Sequence, residues 1–201
     1  MEKQTLCRKT GAISAKACFG SLLAPTMLKN MEQQLLDTAG DLIIVASKNS
    51  SPHDFDFLVG TWRIQNRKLK TRLNNCHEWT EFEALGKCKK ILNGFGNIDD
   101  FRTEFNGKPF EGMALRLFNP KTKLWSIYWA DSNVVVLDVA QVGSFEDNIG
   151  KFYAKDVFEG KEIIVLYRWD KTNADVPIWS QAFSPDNGKT WEWNWYMTFH
   201  R

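Results

Sequence analysis

The sequence predicts an all-β fold, an antiparallel up-and-down meander of about eight to ten strands closed into a barrel, behind an N-terminal tail. Three observations carry this reading. First, Trp191-Glu192-Trp193-Asn194-Trp195-Tyr196-Met197-Thr198-Phe199-His200 places a large apolar residue at every second position, the period of a strand with one buried face. Burying five such side chains at ~150 Å² each removes roughly 750 Å² from water, on the order of 19 kcal/mol gross. That face must meet a core or line a cavity. Second, strand and turn signals alternate from Phe55 to the end with no helix-period segment between them. A meander this long avoids exposed edges by closing on itself; a β-sandwich is the rival architecture. Third, 9 Trp and 14 Phe suit wide sheet faces or an aromatic-lined pocket.

Taken in order, residues 1–52 read as a tail, partly helical or disordered. Residues 1–30 are poor in acid, with Lys3, Arg8, Lys9 and Lys16 and a weak apolar run over 17–25. A targeting peptide is one reading. The short, interrupted Phe19-Gly20-Ser21-Leu22-Leu23-Ala24, with no clean cleavage site after it, favours a disordered or non-native tail, and Met27 and Met31 offer alternative starts. Residues 31–47 suit one helix, weakened by Gly40, and Asn49-Ser50-Ser51-Pro52 is a linker.

The barrel domain then fills 53–201. Strands are expected over 61–69, 76–92, 101–105, 110–118, 124–131, 134–145, 151–158, 161–169, 178–183 and 191–200. Asn93-Gly94-Phe95-Gly96-Asn97, Asn106-Gly107-Lys108-Pro109, Asn119-Pro120-Lys121-Thr122-Lys123 and Glu159-Gly160 supply the turn chemistry. The loop Ser184-x-Asp186-x-Gly188-x-Thr190-Trp191 matches the Asp-box hairpin. In sialidase propellers that hairpin recurs; one copy marks a structural turn.

Composition bounds the partners. The formal net charge is +2, from 26 Lys+Arg against 24 Asp+Glu; residues 1–52 hold six and four, leaving 20 against 20 in the barrel region. A neutral domain gives no electrostatic reason to expect nucleic acid or an anionic membrane, and no run reaches the ~18 apolar residues of a membrane helix. Cys7, Cys18, Cys76 and Cys88 form no Cys-x-x-Cys pair. Reduced thiols in a cytoplasmic protein fit them better than zinc or a disulfide framework. No metal or other cofactor is expected: His53, His77 and His200 lack partners at ligand spacing. A barrel edge leaves a homodimer open.

Phe57-Leu58-Val59-Gly60-Thr61-Trp62 heads the meander. This Gly-x-Trp resembles the lipocalin and fatty-acid-binding (calycin) pattern, in which the Trp closes one end of the barrel. A wider set includes Asn66-Arg67, Gly94-Phe95-Gly96-Asn97, Glu111-Gly112-Met113-Ala114-Leu115-Arg116-Leu117-Phe118-Asn119-Pro120 and Trp125-Ser126-Ile127-Tyr128-Trp129-Ala130-Asp131. It resembles an uncharacterised, mainly bacterial family of lipocalin-like domains over about 54–201. The resemblance implies a barrel and brings no activity or catalytic residues with it. It also implies an arginine packed on Trp62, for which Arg168 is the candidate.

A barrel of this size holds either one small ligand or a filled aromatic core. Three tryptophans on one strand are hard to pack against each other, which favours the cavity. Its expected lining is Trp62, Asn66, Trp79, Trp129, Trp193 and Trp195, with Arg116 or Arg168 holding an anionic group of a hydrophobic or aromatic ligand or pairing with Glu81 or Glu83. By strand alternation both arginines equally suit a solvent-facing role. The alternatives are a small-molecule enzyme (isomerase, cyclase or hydrolase) with a carboxylate or tyrosine acid/base in the same cavity, and haem binding through His200. Tyr128 and Asp131 fall on opposite faces of one strand, as do Cys76 and His77, so neither pair acts together.

Overall fold

The structure, a computed structural model, describes residues 35–105 and 107–201. The readings made for residues 1–34 lie outside them. Ten strands run β1 (Gly60–Leu69), β2 (Trp79–Ile91), β3 (Gly96–Phe105), β4 (Lys108–Asn119), β5 (Leu124–Asp131), β6 (Gln141–Glu146), β7 (Ile149–Phe158), β8 (Lys161–Asp170), β9 (Ile178–Ser184) and β10 (Glu192–His200). Each pairs antiparallel with its sequence neighbours, and β1 pairs with β10, so the sheet closes. Closure gives every strand two neighbours, the seam being thinnest where only Trp125, Ser126 and Ile127 of β5 pair with β6. Of the two architectures the sequence allowed, the barrel is the one formed.

Alternation sets the wall. β1 turns Trp62, Ile64 and Asn66 inward and Thr61, Arg63 and Gln65 to solvent; β4 buries Gly112, Ala114, Arg116 and Phe118 in the same way. One end of the barrel is solid. The chain enters through a 3-10 turn, Asp56–Leu58, that drives Phe55 and Leu58 into the opening, where both are buried. Phe55 meets Trp125 and Phe145 edge-on at 4.9 and 5.0 Å between centroids and also touches Phe152 and Trp169. Trp125 Nε1 donates to Ser51 O and to Asp54 Oδ2, and Trp62 Nε1 donates to Leu58 O. These indole N–H groups therefore reach acceptors while their rings stay dry.

The arginine on Trp62 is Arg201, not Arg168. Its guanidinium lies 4.2 Å from the indole centroid and donates to Phe57 O. Gly60 makes room for it: its φ is +130°, and a Cβ there would come within 2.7 Å of an Arg201 nitrogen. Arg168 instead faces outward and pairs with Asp170 at 3.0 Å.

Four expectations need correction. The helix over 31–47 does not form in its described part, 35–47. Asp37 Oδ1 accepts from the N–H groups of Ala39 and Asp41, Gly40 adopts φ +85°, and Leu36 bridges Leu42 instead. Ser47 N–H then donates to Ser144 Oγ, and Lys155 Nζ donates to Gly40 O, laying this stretch on the wall. β3 starts at Gly96, well before residue 101; its inward Asn97 and Asp99 are polar because they meet Arg116, and this hides the strand pattern. Residues 132–140 form a loop, not strand. Asp131 Oδ1 takes the N–H groups of Asn133 and Val134, and Val135 is forced to φ +57°. Finally, β10 is not a regular strand: its pairing with β9 shifts between Trp193 and Trp195, a bulge that adds Asn194. Trp195, Met197 and Phe199 face in; Trp193 stacks on outward Tyr196, and Trp191 packs on outward Tyr153.

The Asp-box turn behaves as a structural hairpin. Asp186 accepts from the Thr190 hydroxyl and N–H, Gly188 N–H donates to Ser184 Oγ, and Gly188 sits at φ +88°. The Thr190 hydroxyl, more than any other group, draws the Asp186 carboxyl down to about 2.

The solid end yields the first prediction. Phe55→Ala should cost about 3–5 kcal/mol, because its five aromatic neighbours, Phe57, Trp125, Phe145, Phe152 and Trp169, cannot collapse into the hole. Urea unfolding followed by tryptophan fluorescence measures it, and a loss under about 1 kcal/mol would mean that this end is loosely packed.

Candidate functional site

Above the plug the barrel is hollow. A cavity of about 250 Å³ opens toward the ends of the strands opposite the Phe55 plug. Its walls are Trp62, Trp129, Trp169, Trp179 and Trp195 with Phe158, Phe183 and Met197. Six of the nine indoles face inward, counting Trp125 in the plug. Trp179 meets Trp195 edge-on at 5.6 Å and Tyr167 at 5.0 Å. These T-shaped contacts hold the rings upright along the wall rather than stacked across the space.

The floor carries Arg116. It is buried, and its Nη1 donates to Asp99 Oδ2 at 2.8 Å and Asn97 Oδ1 at 3.0 Å, all from two adjacent strands. The guanidinium lies 5.7 Å from the Trp169 ring and 5.2 Å from Phe55. Its charge is thus answered by Asp99, and not by Glu81 or Glu83. Those two face out, beside a shallower groove of about 660 Å³ on the outer wall. Two floor donors have no acceptor among the described residues: Arg116 Nε and Trp169 Nε1. Buried orphan donors of this kind are uncommon and costly.

The rim is charged. Lys68 and Arg72 enter from β1 and the loop after it; Asp131 and Asp138 bracket the valine-rich loop opposite. Lys68 Nζ rests 3.8 Å above the Trp195 ring centroid. A ring face stabilises a cation by ~0.5–2 kcal/mol, yet burial wins: it pushes the Lys68 ammonium down to about 8, Arg72 adds to the fall, and Asp131 opposes it. Burial also lowers the Arg72 guanidinium and, with Asp156 and Asp131 nearby, raises the Asp138 carboxyl. The Tyr167 hydroxyl is driven upward, by burial first and then by Asp138 and Asp156. Cys88 lines the wall with its thiol pushed up to about 12 by burial, so it is not a nucleophile at neutral pH.

The sequence-predicted residues divide. Trp62, Arg116, Trp129 and Trp195 come together around the cavity. Asn66 is buried one step behind it: its Oδ1 accepts from Trp195 Nε1 at 3.0 Å and its Nδ2 donates to Ile64 O. Trp79, Arg168 and Trp193 lie on the outer face, Trp79 beneath Arg67 at 4.4 Å. His200 also faces outward, across from Arg63, and does not line the cavity. Tyr128 and Asp131 take opposite faces, with Asp131 inside. Lys68, Arg72, Asp138, Tyr167, Trp169 and Gln181 were missed. For Lys68 the signal was present, since alternation puts it on the face of Trp62, Ile64 and Asn66. For Arg72 and Asp138, which sit in loops, no periodicity exists to read. Among the described residues no three His, Cys, Asp or Glu side chains converge to hold a metal ion.

No family model matches the chain, and no curated protein does either. Among solved structures, the crystal structure of Rv2717c from M. tuberculosis aligns with 74% of this chain and 96% of that one, at 12% identity and a TM-score of 0.47.

Stability should follow the Lys68 charge. A lysine held near 8 when folded and at 10.5 when unfolded binds fewer protons in the native state between those values, so stability rises with pH across that window. Tyr167, neutral in the fold, reverses the trend once unfolded tyrosine ionises above 10.0. Lys68→Met should remove the rise between pH 8 and 10 and lift the unfolding midpoint at pH 7. Unfolding at a series of pH values reads both effects; an unchanged slope would place the Lys68 ammonium in water.

Proposed function

We propose that this chain binds a small hydrophobic or aromatic molecule inside a lipocalin-like barrel, with an acceptor group of the ligand, anionic or carbonyl, held at the floor by Arg116. The observation that carries the reading is the pair of buried donors without acceptors, Arg116 Nε and Trp169 Nε1, beneath a space walled by indoles. An aromatic ring there gains apolar burial, and an acceptor that shifts the floor side chains enough to reach Arg116 Nε and Trp169 Nε1 would relieve two desolvated N–H groups. Asp99 already balances the guanidinium, so a neutral carbonyl suits the floor as well as a carboxylate. The outer wall carries Arg63, Arg67, Glu81, Glu83, Lys87, Lys89, Lys151 and Lys155, the inverse of the apolar exterior of a transmembrane barrel. Among the described residues no helix is long and apolar enough to cross a membrane. Free Cys76 and Cys88 suit a reducing, cytoplasmic setting.

The test uses 2-naphthoate, whose bicyclic ring matches the space and whose carboxylate matches the floor. Titration should quench tryptophan fluorescence and saturate at one site per chain. Ala114→Phe, which fills the cavity from β4, should weaken binding by at least ~10-fold. Trp169→Phe keeps the ring and deletes one donor, which corresponds to about a 2–10-fold loss for ~0.5–1.5 kcal/mol. Binding that is indifferent to both substitutions would locate the probe elsewhere and end this reading.

A further inference from the structure

Resting on the same cavity, we propose that Lys68 is a covalent capture site for aromatic aldehydes, condensing with them through its side-chain amine to form an imine.

The geometry sets this lysine apart. Of the two lysines beside the cavity, Lys68 is turned in by strand alternation, whereas Lys87 lies between inward Gly86 and Cys88 and is exposed. Among the described residues no carboxylate lies within 4.0 Å of the Lys68 Nζ and no acceptor holds it; its contact is the face of Trp195. Other lysines among the described residues are paired or exposed. Lys70 pairs with Glu78 at 2.7 Å and Lys90 with Asp56 at 2.8 Å. Lys171 is also lowered by burial, but at the plugged end, where it donates to Asp54 O and lies over Phe145. A lysine becomes a carbonyl nucleophile when apolar surroundings and a neighbouring cation disfavour its charged form, and Lys68 has both in the indole wall and Arg72. Near neutral pH a useful fraction of it is the free amine.

The step balances without a co-reactant. The amine nitrogen attacks the carbonyl carbon, and the N–H proton passes to the carbonyl oxygen to give a carbinolamine. That oxygen then leaves as water, taking a second proton, as the N=C bond forms. Asp131 and Asp138 stand on the same rim to relay those protons, with Asp156, Tyr167 and Arg72 the other titratable or charged groups around it. An aromatic body suits the site because the attacked carbon sits beside Trp195 while the ring extends among Trp129, Trp179 and Phe183. Water leaves through the open mouth.

The experiment treats the full chain with 2-naphthaldehyde and sodium cyanoborohydride and follows intact mass, then peptide maps. The expected result is one adduct, heavier by the aldehyde less one oxygen, located at Lys68. Its rate should climb as pH passes about 8 and level off well below the ordinary lysine value. Lys68→Met should reduce trapping to background, and 2-naphthylmethanol, which cannot condense, should slow trapping in the unsubstituted protein by occupying the cavity. Adducts scattered over surface lysines, or none, while 2-naphthylmethanol still quenches tryptophan fluorescence, overturn the capture site and leave the cavity reading standing. No quenching by 2-naphthylmethanol and no adduct overturn both.

Discussion

Everything in this barrel depends on how one end is closed. A ten-stranded cylinder is too wide for the side chains of its own wall to meet across the middle, so something must be brought in from outside the sheet. Here it is the 3-10 turn ahead of β1, which inserts Phe55 and Leu58 among Trp125, Phe145, Phe152 and Trp169. The polar groups of that turn are answered locally: Asp54 gathers Ser50, Ser51 and Trp125, and Lys171 crosses to its carbonyl. With one end made solid, the remaining interior becomes a defined pocket rather than a channel.

What was legible in the sequence was what alternation encodes. The inward row Trp62, Ile64, Asn66 and the pair Trp125 and Trp129 follow from period two, and so does the meander. What was hidden has physical reasons. Asn97 and Asp99 broke the apolar rhythm of β3 because they serve Arg116, so half of that strand looked like loop. Val134, Val135 and Val136 looked like strand because valine favours sheets, yet Asp131 captures the backbone of that turn and leaves the valines exposed. The resemblance implies Arg168 over Trp62, but Arg201 stands there; strand alternation sends the first outward, and only three-dimensional closure brings the second to the barrel end.

The site separates its chemistry by depth. The floor holds a neutralised ion pair with spare donors, where burial makes each unmet N–H costly. The middle is indole. The rim holds cations and carboxylates whose proton affinities are shifted by partial burial. Such a gradient matches the proposed ligand, an acceptor at one end of an aromatic body, and it puts the Lys68 amine near solvent while burial keeps the Cys88 thiol protonated in the wall.

The bulge in β10 has a consequence for the pocket itself. Were pairing regular through Asn194, the same residues would rotate by one step, sending Asn194 and Glu192 outward and Trp191 and Trp193 inward. Two further indoles would then crowd a space of about 250 Å³. The amide contact of Gln181 with Asn194 at 2.8 Å, and the grip of Glu192 on the Leu73 N–H, hold the present register. A single supernumerary residue thus decides whether this strand builds a vessel or a stopper.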